Sequence, residues 1–206
     1  MSDRGLVYII DDDDAVRDSL DLLLCAAGFK TMSFESAESF LAYPRKEAAG
    51  CLLSDIRMPG MSGLDLMQEL HGRGAACPVV LITGHGDVPM AVEAMKRGAH
   101  DFIEKPFDDE RLVAAVSSAL TRRVWPREAA AKVDSEAALR LASLSRRERQ
   151  VMEGLVGGLS NKEIARDYGI SPRTVEVYRA NVMSKLRAAS LAELVQTALR
   201  AGVVAT

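Results

Sequence analysis

Polar side chains with related chemistry follow four separate apolar runs in the first half of the chain. They are Asp11 and Asp12 after Leu6–Ile10, Asp55 after Cys51–Ser54, Thr83 after Val79–Ile82, and Lys105 after Phe102–Glu104. If the runs are parallel strands, these side chains meet at the carboxyl edge of one sheet, where open α/β sheets bind ligands. Three carboxylates, a hydroxyl and an amine in one crevice predict a site for a divalent metal ion and a phosphoryl group.

The residue types at this edge also predict a reaction. Mg²⁺ is held in proteins by one or two carboxylates and keeps coordination places for water and phosphate oxygens. An ionised carboxylate beside the cation can attack phosphorus and form an aspartyl phosphate, while Lys105 and Thr83 donate to the phosphoryl oxygens. Taken singly, an aspartate at a strand end is also typical of a solvated turn or a helix N-cap, the role expected of Asp13 and Asp14.

Five apolar runs that alternate with helical patterns must position these residues. The fifth run is Lys30–Phe34, and the predicted helices are Ala15–Ala27, Glu35–Tyr43, one capped by Ser62, Pro89–Lys96 and Asp108–Leu120. Continuous apolar runs are typical of parallel strands that are buried on both faces. The alternation predicts an α/β domain over residues 1–122, with a doubly wound five-stranded parallel sheet in the flavodoxin-like order.

The second half of the chain has helical periodicity only. The predicted helices are Ser145–Gly157, Asn161–Tyr168, Pro172–Leu186 and Leu191–Ala201. Only Gly169, Ile170 and Ser171 join the second of these to the third, which is the pattern of a helix-turn-helix. We therefore expect an all-α, four-helix domain over residues 144–206, with a linker over residues 123–143, where the composition shifts to Ala, Arg and Glu.

Charge is distributed unevenly, although the whole chain has a net charge of −3. Residues 1–120 carry 11 Lys and Arg against 20 Asp and Glu, a net charge of −9, whereas residues 144–206 carry 10 against 6, a net charge of +4. A basic second domain indicates a polyanionic partner. No apolar run approaches the roughly 20 residues of a membrane span, and the N-terminus lacks signal-peptide organisation. These features favour a cytoplasmic protein.

The predicted helix Pro172–Leu186 has two distinct faces on a period of about 100°. Val175, Val182 and Leu186 fall on the side expected to be core, whereas the other side carries one arginine, small residues and hydrogen-bonding side chains. Such a face suits a DNA major groove, because small residues allow close approach and polar ones meet base edges. The candidate DNA contacts are Lys162, Arg166, Arg173, Thr174, Glu176, Val177, Arg179, Asn181 and Lys185, with Arg187 as a further candidate for phosphate. A protein-binding or RNA-binding helical module is the alternative.

The first half of the chain resembles the receiver domain of two-component response regulators over residues 1–122. The motifs that carry this resemblance are Leu6–Asp12, Ser54–Gly60, Ile82–His85 and Glu104–Phe107. The resemblance implies that Asp55 is the phosphoacceptor. It also implies that Asp12, Asp55 and the backbone carbonyl of Arg57 hold Mg²⁺, with Asp11 acting through water.

The receiver resemblance further implies that Thr83 and Lys105 bind the phosphoryl group and that Phe102 is an aromatic switch residue. A simple core phenylalanine is the alternative for Phe102. A phosphatase with an aspartyl nucleophile is the alternative for the site, but such enzymes usually carry a second aspartate two residues after the nucleophile. This chain has Arg57 there, so we expect that it is not an enzyme.

The second half is similar to the LuxR-type helix-turn-helix. The similar segments are Leu144–Val151, Gly158–Ala165 and Ile170–Met183. Many members have lysine where this chain has Glu176, and histidine where it has Tyr178. Because a glutamate can accept a hydrogen bond from the amino group of cytosine, Glu176 is expected to shift the base preference.

The order of receiver, linker and helix-turn-helix is similar to the FixJ subfamily of response regulators. That resemblance implies phosphorylation by a sensor histidine kinase, dimerisation through the receiver, binding to double-stranded promoter DNA and contact with RNA polymerase. It implies a transcriptional activator whose kinase is a haem-based oxygen sensor and whose targets are genes for nitrogen fixation or microaerobic respiration.

Overall fold

The computed structural model describes residues 4–44, 50–75, 77–84, 88–121, 135–201 and 203, except for the side chains of Val88, Ala91, Ser135, Glu136 and Arg200. A single sheet dominates the first half. Its strands are β1 (Leu6–Ile10), β2 (Lys30–Phe34), β3 (Gly50–Asp55), β4 (Val79–Thr83) and β5 (Asp101–Glu104). All neighbouring pairs are parallel and the strand order is β2-β1-β3-β4-β5. The predicted flavodoxin-like α/β fold is confirmed.

Helices alternate with these strands along the chain. They are α1 (Asp14–Ala26), α2 (Ala37–Ala42), α3 (Gly63–Gly72), α4 (Val88–Lys96) and α5 (Asp109–Thr121). Side chains of β1, β3, β4 and β5 form one apolar core with α1 and α5, which includes Ile9, Leu53, Ile82 and Val116. Every residue of β3 and β4 is buried, which explains why these strands read as continuous apolar runs rather than as alternating ones.

Local hydrogen bonds determine where the first helices begin. Asp13 accepts from the N–H groups of Ala15 and Val16, so the predicted cap role of Asp13 is confirmed. Ser36 and Ser39 form a capping box that starts α2 at Ala37, two residues later than the predicted start at Glu35. An N-cap has extended backbone, and this excludes the residues before Ser36 from the helix.

The second half is entirely helical within its described residues. Its helices are α6 (Ser135–Ala142), α7 (Arg146–Val156), α8 (Asn161–Tyr168), α9 (Pro172–Leu186) and α10 (Leu191–Arg200). The last four helices each have a serine N-cap, namely Ser145, Ser160, Ser171 and Ser190. Gly169 ends α8 in the left-handed conformation with φ of +63°, as the predicted turn between α8 and α9 requires.

The described residues form two compact units, one containing the sheet with α1, α2, α3 and α5 and the other containing α4 with α6 to α10. The helix α6 lies within the predicted linker 123–143, whose residues 123–134 are outside the described part of the chain. The predicted domain boundaries therefore stay predictions. None of the described helices is long and apolar enough to cross a membrane.

Candidate functional site

The carboxyl edge of the sheet brings together residues that are distant in sequence. The Nζ atom of Lys105 lies 2.8 Å from Oδ1 of Asp55 and 3.3 Å from Oδ2 of Asp11. Both carboxylates are largely buried, with relative exposures of 8% for Asp55 and 2% for Asp11. Lys105 precedes Pro106 through a cis peptide bond. One ammonium group therefore bridges two carboxylates that end neighbouring strands.

Backbone N–H groups hold the remaining oxygens of the same two carboxylates. Oδ2 of Asp55 accepts from the N–H of Arg57 at 2.6 Å, and Oδ1 of Asp11 accepts from the N–H of Asp13 at 3.0 Å. Each side chain is thus fixed at both oxygens. Fixed hydrogen bonds orient a reactive group before its substrate arrives, which is the structural requirement for efficient group transfer.

Burial and charge shift two pKa values at this edge. Burial raises the pKa of Asp11 above 3.8 despite the opposing hydrogen bond from Asp13 and the charge of Lys105. Burial by itself would lower the pKa of Lys105, but the hydrogen bond and charge of Asp55, together with Asp11, raise it above 10.5. Lys105 is therefore a permanent cation at physiological pH.

The donors at the acidic edge are carboxylate oxygens, the type of ligand that Mg²⁺ takes in proteins. Within the described ranges, no group of three or more His, Cys, Asp or Glu side chains is arranged to hold a metal ion. Asp12 is exposed, whereas Asp11 and Asp55 are buried. Because Mg²⁺ uses only one or two carboxylates and fills its other positions with water or phosphate oxygens, the hard oxygen donors present here suit it.

Thr83 and Phe102 lie on neighbouring strands beside the acidic edge. Thr83 is the last residue of β4 and is opposite Glu104 of β5 in the strand register, while Phe102 is opposite Leu81. Both side chains are buried, and the hydroxyl of Thr83 donates to the carbonyl oxygen of Gly84 at 3.3 Å. At 3.3 Å this bond is weak and local, and a stronger acceptor could replace it.

Three residues that sequence reasoning did not select support the site. Nη1 of Arg17 donates to the carbonyl oxygen of Asp11 at 2.6 Å, and Oε1 of Glu38 accepts from the N–H of Met61 at 3.0 Å in the loop after β3. Gly63 packs its Cα against the end of β3, where a Cβ atom would lie 2.2 Å from the carbonyl oxygen of Asp55. None of these contacts had a signal in the sequence, since the spacing of Arg17 three residues after Asp14 indicates only an ion pair between those two residues on α1.

The second candidate site is the outer face of α9. Val175, Val182 and Leu186 are buried, as the helical period predicted. Val177 is 54% exposed, an unusual position for a large apolar side chain. Also exposed along the same helix are Arg173, Glu176, Ala180, Asn181 and Ser184, while Thr174 and Arg179 are half-buried. The outer face thus combines one apolar side chain with small and polar ones.

The basic candidates differ in how they are paired. Lys162 and Arg166 of α8 are exposed, and Nη1 of Arg173 lies 3.1 Å from Oε2 of Glu176 at the start of α9. The Nζ atom of Lys185, in contrast, lies 2.6 Å from Oε2 of Glu148, whose side chain is only 6% exposed. The structure therefore places Lys185 in a bond between α9 and the start of α7.

Lys185→Met is expected to lower the free energy of unfolding of the second unit by about 1–2 kcal/mol at pH 7, because the Glu148 carboxylate loses its cation, while the 41% exposure of the Lys185 side chain lets water screen part of the effect. Hydrogen bonds from Lys185 and from the N–H of Ser145 lower the pKa of Glu148 below 4.5. The pair therefore stabilises the fold fully above the pKa that Glu148 has in the unfolded chain. This stabilisation is lost as the pH falls through the lower pKa that Glu148 has in the folded chain. Urea unfolding should show the full difference at pH 7 and a shrinking difference below about pH 4.5.

Lys162→Met is the matched control, since it removes the same charge from an exposed position on α8. We expect it to change the stability by at most about 0.5 kcal/mol. Equal effects of the two substitutions would contradict the structural role of Lys185.

Comparison with known proteins covers both halves of the chain. Residues 7–117 match the response regulator receiver domain, and residues 142–198 match the luxR family of bacterial regulatory proteins. The chain is 54% identical over 204 residues to transcriptional regulatory protein FixJ of Bradyrhizobium diazoefficiens, covering 99% of each chain. It is 58% identical over 198 residues to FixJ of Azorhizobium caulinodans, covering 96% of this chain and 93% of the relative. The crystal structure of full-length FixJ from B. japonicum is similar with a TM-score of 0.57 at 53% identity, covering 98% of this chain and 100% of that one.

Proposed function

This chain belongs to the FixJ-like response regulators, which join a receiver domain to a LuxR-type DNA-binding domain, and on that premise we propose that Asp55 is its phosphoacceptor. The chain is a transcriptional regulator of a two-component system, from a family of transcription factors that are not typically enzymes. The observation that carries the proposal is the bridge from Lys105 to Asp55 and Asp11 at the end of three strands.

The phosphoryl transfer follows from the position of the Asp55 carboxylate. One Asp55 oxygen attacks the phosphorus of a phosphohistidine on the sensor kinase; a P–O bond forms, the P–N bond breaks, and the electron pair leaves with the imidazole, which takes up a proton. The ammonium group of Lys105, already 2.8 Å from Asp55, then forms an ion pair with the transferred phosphoryl oxygens. Thr83 gives up its weak bond to Gly84 and donates to the same group.

Receiver domains generally bind Mg²⁺ at the acidic phosphorylation site. Here Asp12, Asp55 and the carbonyl oxygen of Arg57 would hold the ion, with Asp11 acting through water. The cation would neutralise part of the negative charge on the phosphoryl oxygens. The N–H of Arg57 already contacts Asp55, which supports the assignment of the neighbouring carbonyl to this site.

The output is binding of the second unit to promoter DNA. Val177, Glu176 and Arg173 on the exposed side of α9 would meet base edges, while basic side chains of α8 and α9 contact the backbone. The candidate contacts are Lys162, Arg166, Arg173, Thr174, Glu176, Val177, Arg179 and Asn181, whereas Lys185, a candidate from the sequence, is paired with Glu148. Inward movement of Thr83 and rotation of Phe102 would prepare the receiver for dimerisation, which presents two copies of α9 to paired half-sites.

Within the cell we place this regulator in the cytoplasm, where it would act as an activator that contacts RNA polymerase. The likeness to FixJ of Bradyrhizobium diazoefficiens and of Azorhizobium caulinodans supports targets in nitrogen fixation or microaerobic respiration and an oxygen-sensing kinase as the phosphoryl donor.

Phosphorylation is expected to tighten binding to promoter DNA by about tenfold or more, since a dimer engages two half-sites at once. Fluorescence anisotropy of a labelled promoter pool at fixed salt measures the change, with acetyl phosphate and Mg²⁺ as the phosphodonor mixture. The mixture with EDTA added is the control and should leave the affinity at its basal value. Equal affinity in both samples would exclude DNA affinity as the property that the receiver controls.

A further inference from the structure

The loop that joins β3 to α3 carries the backbone carbonyl that is expected to hold Mg²⁺. This β3–α3 loop, residues 56–62, is closed at its base. The N–H of Ile56 donates to the carbonyl oxygen of Ile82 at 2.9 Å, and the N–H of Gly63 donates to the carbonyl oxygen of Ile56 at 3.1 Å. Arg57, whose carbonyl oxygen is the candidate ligand, follows directly after this base. The direction of that carbonyl therefore depends on the path of the rest of the loop.

The outer part of the β3–α3 loop is held by a side chain from α2. Gly60 is exposed, and the next residue, Met61, donates its N–H to Oε1 of Glu38 at 3.0 Å. The same oxygen would lie only 2.8 Å from a Cβ atom at Gly60, whose φ is +76°. Because glycine has no side chain, the Glu38 carboxylate can lie directly against the loop backbone.

Glu38 is charged when it makes this contact. Hydrogen bonds from its own backbone N–H and from that of Met61 lower the pKa of Glu38 below 4.5, so the carboxylate is ionised at neutral pH. A hydrogen bond to an ionised acceptor is roughly twice as strong as one between neutral groups. The contact with Met61 therefore belongs to the stronger class of hydrogen bonds, although it lies at the surface.

The candidate carbonyl lies between two such anchors. The N–H of Arg57 donates to Oδ2 of Asp55 at 2.6 Å, the Met58 side chain is buried, and the bond from Met61 to Glu38 then fixes the chain again. If the bond to Glu38 were lost, the loop would have to be ordered when the ion binds, which costs free energy. Partners that orient a metal ligand typically contribute about 10–100-fold to metal affinity.

We propose that Glu38 is a positioning residue for the magnesium site: by holding Gly60 and Met61 it sets the direction of the Arg57 carbonyl, and with it the affinity for Mg²⁺. Glu38 acts through the loop and not as a ligand of the ion. This inference rests on the proposed phosphoacceptor function of the acidic edge.

The test titrates the full chain with MgCl₂ alone, without a phosphodonor, and follows the backbone amide signals by NMR. Glu38→Ala should raise the Kd for Mg²⁺ about 10-fold. Glu38→Gln keeps an acceptor oxygen for the N–H of Met61 and should bring the Kd back to within about threefold of the wild type. Glu69→Ala removes the same charge from α3, where Oε1 of Glu69 pairs with Nε of Arg73 at 2.7 Å. It is the matched control and should leave the Kd unchanged.

Phosphorylation by acetyl phosphate separates the affinity for the ion from the chemistry at Asp55. Glu38→Ala should need about tenfold more Mg²⁺ for the half-maximal rate but should reach the wild-type rate at saturating Mg²⁺. A defect in folding would lower the rate at every Mg²⁺ concentration. Because Glu38 is exposed, both of its variants should melt within about 4 °C of the wild type.

Two results would overturn the inference. One is an unchanged Kd for Mg²⁺ in Glu38→Ala. The other is a Glu38→Gln variant that binds Mg²⁺ as weakly as Glu38→Ala, which would show that the charge of Glu38 acts on the ion from a distance. Failure of the wild-type chain to bind Mg²⁺ would instead remove the magnesium site itself, and the inference with it.

Discussion

Asp55→Asn is expected to abolish phosphate incorporation from acetyl phosphate and Mg²⁺. The amide nitrogen is not a nucleophile at neutral pH, so the covalent step loses its attacking atom. The amide oxygen can still accept from the N–H of Arg57 or from Lys105, the two donors that hold the native carboxylate, and the fold should survive. Intact-mass spectrometry should show wild-type chains with one added phosphoryl group and less than about 1% of labelled variant.

Asp18→Asn is the matched control for this substitution. Asp18 is an exposed aspartate of α1, so its loss changes the net charge equally without touching the acidic edge. It should be labelled as fully as the wild type. If Asp55→Asn were still labelled to full stoichiometry, the phosphoacceptor would have to be another residue.

Gly63→Ala is expected to destabilise the first unit by about 3 kcal/mol or more, because the new methyl group meets backbone rather than a movable side chain. The added Cβ would lie 2.2 Å from the carbonyl oxygen of Asp55 and 2.8 Å from Oγ of Ser54. The start of α3 or the end of β3 must therefore move. Urea unfolding measures the loss of stability, and the rate of phosphorylation by acetyl phosphate should fall as well, since Asp55 moves with its backbone.

Gly72→Ala is the control because Gly72 is the last residue of the same helix, and a Cβ there would meet no atom within 4 Å. Alanine has the higher helix propensity, so this variant should be unchanged or more stable by up to about 1 kcal/mol. Equal stabilities of the two alanine variants would show that α3 does not press on the phosphorylation site.

Local signals made much of the fold predictable. The bounds of β1, β2, α8 and α9 are those expected from apolar runs, serine caps and the turn glycine. The strand ends then determined which polar residues share an edge, because parallel strands end together. The gathering of Asp11, Asp55, Thr83 and Lys105 follows from that rule alone, without knowledge of any contact.

Contacts between distant elements could not be predicted in the same way. The pair of Lys185 and Glu148 spans 37 residues, and its members carry no pattern that distinguishes them from other charged residues on α7 and α9. The sequence likewise gives no indication of the close approach of Gly63 to Asp55, because a glycine at the start of a helix also fits an ordinary turn. Such features depend on how packed elements meet, which periodicity does not encode.

The bridging position of Lys105 limits how strongly phosphorylation can bias the receiver. Its ammonium group already has two anionic partners, so an incoming phosphoryl group gains only the difference between the new ion pairs and the old ones. A ligand can shift a two-state equilibrium by no more than the difference between its interaction free energies with the two states. Each 1.4 kcal/mol of that difference changes the equilibrium constant about tenfold. The unphosphorylated chain should therefore keep a small standing population in the active arrangement, and the signal from the kinase would amplify an existing output.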